Sequence, residues 1–113
     1  MGLEQTNQVD HIGINKETGN VVLSLFDEFD WQNEGEHLQL LQDKLNTYLA
    51  YVESGQLFEE NPQLRNKPVD IFVYGRFPFA EEGAKFLGLA SQTISEAGCG
   101  FKWSHVPDEE SSD

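Results

Sequence analysis

Apolar residues alternate along the first part of the chain and then change to a three- and four-residue spacing. Ile12 and Ile14 alternate with polar or small neighbours, and so do Val21, Leu23 and Leu25. Period-two alternation marks strands with one buried face. Between the two runs lies Asn15-Lys16-Glu17-Thr18-Gly19-Asn20, where Gly19 can supply the positive φ of a turn. With Lys16 to Gly19 as a four-residue loop, Asn15 faces Asn20, Ile14 faces Val21 and Ile12 faces Leu23. One loop length then places all five apolar residues on one face, which predicts a hairpin.

Residues 27–35 read as an acidic, aromatic loop. From about Glu34 the spacing of Leu38, Leu41, Leu45, Leu49 and Val52, with Tyr48 beside them, predicts an amphipathic helix. Glu34 and Glu36 lie at its positive end, and Gly55 is placed for a left-handed cap. Residues 56–68, with Pro62 and Pro68, form a connection whose Leu57, Phe58 and Leu64 should pack down on the domain. Val69, Ile71 and Val73 alternate in a strand that Pro78 bars from continuing. A second helix is expected from about Ala80 to Ala97, with Ala84, Leu87, Ala90, Ile94 and Ala97 inward. Phe101 and Trp103 mark a last strand, stopped by Pro107.

The order β-β-α-β-α-β predicts an α+β fold, a two-layer α/β sandwich with a four-stranded mixed sheet and two helices on one face. Short crossovers through helices make the last three strands parallel and the first antiparallel. The expected spatial order is second, first, third, fourth. Residues 9–106 form the single domain, residues 1–8 a flexible N-terminus and residues 107–113 an acidic disordered tail. The same alternation sends Val22, Ser24, Phe26, Asp70, Phe72, Tyr74 and Lys102 away from the helices. A sheet face of this kind needs a cover. Homodimerisation, a partner protein, or residues 1–8 or 56–68 folded over it would each supply one.

Charge narrows the partners. The 113 residues suit one domain, and 20 acidic against 7 basic residues give a net charge of −13. Such a field repels phosphates and anionic lipid heads, so neither nucleic acid nor a membrane is an expected partner. It attracts basic proteins, although its simpler role is solubility. A single cysteine excludes an intrachain disulfide, and neither a signal peptide nor an apolar span is visible, so the expected location is cytoplasmic.

Chemistry-bearing patterns are sparse. His11, His37 and His105 fall on three elements without metal-ligand spacing and read as surface or edge residues. Cys99 follows a helix C-terminus, which opposes a thiolate, so its expected role is structural. No catalytic, metal or cofactor site is predicted. An enzyme reading would need Asp27, Asp30 and Glu36 to converge near His37 in a pocket. Phe29 and Trp31, ringed by Asp27 and Asp30, suit protein recognition, although the simpler role of the two aromatics is to staple the loop to the helix ends. The candidate interaction surface is therefore Val22, Phe26, Phe72 and Tyr74 together with Asp27, Phe29, Asp30 and Trp31.

The stretches Val9-Asp10-His11-Ile12-Gly13-Ile14, Gly19 to Leu25, Asp30-Trp31 and Glu36 to Tyr48 through Gly55 make the chain resemble a family of short acidic bacterial proteins of unknown function. The resemblance covers about residues 9–76 well and implies no activity, cofactor or catalytic residue. Size, charge and fold class also offer an analogy to toxin-immunity proteins. The function expected is a non-catalytic protein-interaction module, homodimeric through the open sheet face. The alternatives are an immunity-type inhibitor of a basic toxin and a small enzyme using acids near His37.

Overall fold

A computed structural model describes residue 9 and residues 11–105. The expected flexible N-terminus and acidic tail lie outside the described residues. In chain order the elements are β1 (His11–Ile14), β2 (Val21–Asp27), α1 (Glu34–Glu53), α2 (Gln56–Glu60), a 3-10 turn (Pro62–Leu64), β3 (Val69–Gly75), α3 (Glu81–Glu96) and β4 (Gly100–His105). The hairpin has the expected register, Ile14 opposite Val21 and Ile12 opposite Leu23. Its turn closes by Asn15 N–H donating to the Asn20 carbonyl at 2.9 Å, and Gly19 takes the left-handed φ of +80°.

The four strands form one mixed sheet in the order β1-β2-β3-β4. β1 is antiparallel to β2, while β2, β3 and β4 run parallel. This corrects the expected order, which put the first strand inside. β2 and β3 pair along their full length, from Val21 opposite Val69 to Asp27 opposite Gly75. A long, strictly alternating strand gains most where both edges are hydrogen-bonded. The four-residue β1, with Gly13 at its centre, is left at the edge. Ile14, expected in the core, is consequently 44% exposed there.

Val21, Leu23 and Leu25 of β2 meet Ile71 and Val73 of β3 beneath Leu41, Leu45 and Tyr48 of α1 and Leu87 and Ile94 of α3. All are buried, so the two long helices share one face of the sheet. The connection after α1 packs as expected, with Leu57 and Leu64 buried and Phe58 against the core. It contains a short helix and the 3-10 turn that alternation alone did not reveal. The inward line of α3 runs through Gly83, Leu87 and Ile94. Ala84, expected inward, is exposed, because the true line begins one residue earlier.

α1 also buries polar groups. Tyr48 donates its hydroxyl to the Ser24 carbonyl at 2.6 Å. Lys44 is fully buried, with its ammonium 6.0 Å from the Tyr48 ring centroid. That distance is the outer limit of a cation–π contact.

The strand order has a measurable consequence. Ile71→Ala should destabilise the protein by about 2–5 kcal/mol in urea unfolding. Ile14→Ala, at the sheet edge, should cost less than about 1 kcal/mol. Equal losses would place β1 in the interior.

Candidate functional site

The face of the sheet opposite the helices carries Val22, Ser24 and Phe26 from β2 and Asp70, Phe72 and Tyr74 from β3. Gly100, Lys102 and Ser104 of β4 lie in register with the β3 residues. Three of the aromatic rings form one stack. Phe72 and Tyr74 lie 4.4 Å apart at 11°, and Tyr74 and Phe26 5.6 Å apart at 19°. Residues two apart on one strand, or opposite on neighbouring strands, are held on the same side at these spacings by the pleat. Phe26, at the end of the stack, is 40% exposed. Asp70 accepts from Asn20 Nδ2 at 3.1 Å at the other end of the face.

The acidic, aromatic segment is built differently. Asp27 is the last residue of β2, in phase with Leu23 and Leu25, so its carboxylate enters the helix layer. There it meets His37, on the first turn of α1. Asp27 Oδ2 lies 2.6 Å from His37 Nε2, and both side chains are 2% exposed. His37 Nδ1 lies 2.9 Å from the Asp30 carbonyl. A carbonyl oxygen only accepts, so Nδ1 donates to it. One further proton then lies between Nε2 and the carboxylate, and the pair brings no net charge into the core, whichever partner holds that proton. Asp27 Oδ1 also accepts the Phe29 N–H at 3.1 Å. Trp31 stacks flat on His37, with centroids 3.6 Å apart, and Phe29 meets its edge at 6.0 Å.

On the other side of the indole, α3 presents Gly83. A Cβ at that position would lie 2.5 Å from the Trp31 ring. Trp31 is thus a wedge between the first turns of α1 and α3, with Phe79 6.4 Å away. Asn33 caps α1 by accepting from Glu36 N–H at 3.3 Å, and its amide reaches Glu36 Oε1. A cleft of about 340 Å³ opens beside this cluster, lined by Phe29, Leu40, Phe77 and the acids Glu28, Asp30 and Glu36.

A family model, described as a family of unknown function (DUF6572), matches residues 1–107. The chain belongs to DUF6572. No curated protein and no solved structure matches it.

In this DUF6572 member the candidate interaction residues divide between two sides of the sheet. Val22, Phe26, Phe72 and Tyr74 share the open face as expected. Asp27 is corrected from an exposed loop acid to a buried partner of His37, and Phe29 and Trp31 pack around that pair as loop staples. Asp30 remains exposed, accepting the Gln32 N–H. His37, expected at the surface, is buried, whereas His11 and His105 are exposed. Of the groups in the enzyme reading, Asp27 meets His37, Asp30 offers a backbone carbonyl, and Glu36 turns to Asn33. Both ring nitrogens of His37 are occupied, so a proton transfer there would break an existing hydrogen bond. Among the described residues, no three His, Cys, Asp or Glu side chains gather as metal ligands.

Cys99 is buried in the core. Burial pushes its thiol pKa up, and the Glu53 and Asp70 carboxylates add in the same direction. The thiolate therefore forms only above the ordinary thiol range. Native Cys99 should react with iodoacetamide near neutral pH at least about tenfold more slowly than the urea-unfolded chain. Equal rates would show an accessible, unperturbed thiol.

Removing one member of the buried pair strands the other. Asp27→Ala should cost about 3–5 kcal/mol in chemical denaturation, and replacing His37 by Phe in the same chain should recover part of that loss.

Proposed function

We propose that this DUF6572 protein is a non-catalytic protein-interaction module that binds through the open face of its sheet. The supporting observation is the continuous stack Phe26–Tyr74–Phe72 on a face from which the helices are absent. The buried side chains of α1, α2 and α3 all join the core on the opposite side. Clustered aromatic rings with a polar rim are the usual centre of a binding surface. Their spacing is fixed by strand pairing rather than by a loop, so the surface is organised before a partner arrives.

Saturation of the Asp27–His37 pair supports the non-catalytic part of this reading, because a general base needs a nitrogen available to the substrate. Among the described residues, no helix is long and apolar enough to cross a membrane. A basic protein seated on the helix layer, as an immunity-type inhibitor would use, is the second reading. It is favoured by the nine acids against two lysines that the three helices carry.

Site-specific photo-crosslinking in the native cell tests the proposal. A benzophenone side chain at position 26 should give a discrete protein adduct. The same group at Leu89, 70% exposed on the outer side of α3, should not. Phe72→Lys should lower the adduct yield from position 26 by at least about tenfold, as for loss of one strong anchor. Absence of an adduct at position 26, or a yield unchanged by Phe72→Lys, overturns the reading; an adduct at position 89 alone supports the helix-layer alternative.

A further inference from the structure

The charge distribution decides which partner the open face accepts. The helices carry nine acidic residues and two lysines, one of them the buried Lys44. The open face carries one acid, Asp70, and one lysine, Lys102, with His11 at its β1 edge. Among the described residues, negative charge is therefore concentrated on the helix side, and the aromatic face is nearly balanced. A basic protein would be steered to the helices, not to this face. Two copies of the same chain meet less repulsion when their balanced faces come together than when their acidic helix layers do.

We infer that the occupant of the open face is a second copy of this chain, packed sheet against sheet about a two-fold axis. The inference rests on the proposed use of that face for binding. A two-fold contact is self-complementary, each residue meeting its counterpart's neighbour in both directions. Two stacks of Phe26, Tyr74 and Phe72 then bury one another, and Lys102 of one copy can meet Asp70 of the other. The helical acids of the two copies are held on the two outer surfaces of a four-layer α-β-β-α assembly. Facing sheets pack about 10 Å apart, which leaves room for one interdigitated layer of rings.

The sign of the salt effect separates this partner from a basic one. Two like-charged chains associate more tightly as their repulsion is screened, whereas an acid–base complex loosens. Sedimentation of the purified full-length chain should show a species of twice the 12.8 kDa chain mass. Its dissociation constant should fall severalfold as salt rises from about 0.01 M to about 1 M, which shortens the screening length from about 30 Å to about 3 Å. Phe26→Lys should weaken the dimer at least about tenfold. Lys102→Glu, an exposed rim change that leaves the aromatic stack intact, should weaken it most at low salt. A chain that stays monomeric at every salt concentration overturns the second-copy inference, while a discrete larger adduct from position 26 in cells would still uphold the binding face. A dimer indifferent to both substitutions forms through another surface and overturns the inference, while the adduct from position 26 decides the binding face separately. A dimer that salt dissociates overturns the charge argument and with it the inference.

Discussion

The period of two along β2 is the constraint on which the rest depends. Val21, Leu23, Leu25 and Asp27 point to the helices, while Val22, Ser24 and Phe26 point away. β2 lies inside the sheet, paired to β1 on one side and β3 on the other. Its phase therefore sets the phase of both neighbours. A slip of one residue would place Phe26 in the core and expose three fully buried aliphatic side chains. The same phase sets the position of Asp27. The strand continues one alternation past its last aliphatic residue and delivers a carboxylate to the helix layer, where only a hydrogen-bonded partner makes it tolerable.

What the amino-acid pattern made legible follows from this periodicity. The hairpin register, the α1 spacing, the buried residues of β3 and the face carrying Phe26, Phe72 and Tyr74 were readable because each depends on local alternation or helical spacing. The strand order was not, because it depends on the competition between β1 and β3 for the edges of β2. The signal was present in length: two isoleucines in β1 against the unbroken alternation of β2 and β3. α2 is not legible in the sequence because five residues show too little of the helical period.

The Asp27–His37 pair was half visible. Both residues stand out as candidates in the sequence, but its pattern puts Asp27 in the loop and His37 at the surface. Continuing the β2 alternation to residue 27 and the α1 spacing back from Leu41 to residue 37 would have placed both inward. Polar residues at apolar positions of a pattern are easily discounted, and Lys44 and Tyr48 on the same inner stripe of α1 show the same difficulty. Their polar groups are accommodated by interactions that cross from helix to strand or aromatic ring, which no local pattern encodes. Family membership extends the resemblance beyond the first two thirds of the chain, to residue 107. It assigns no chemistry, so what remains to indicate function is which surfaces the fold leaves uncovered and how charge is spread over them.

The wedge formed by Trp31 ties together two positions far apart in the chain. The indole reaches the His37 ring because position 83 has no side chain to stop it. A methyl group on α3 would push the helix or the indole aside. A larger residue at 83 is therefore accommodated with least displacement by a smaller ring at 31, which couples the two sites.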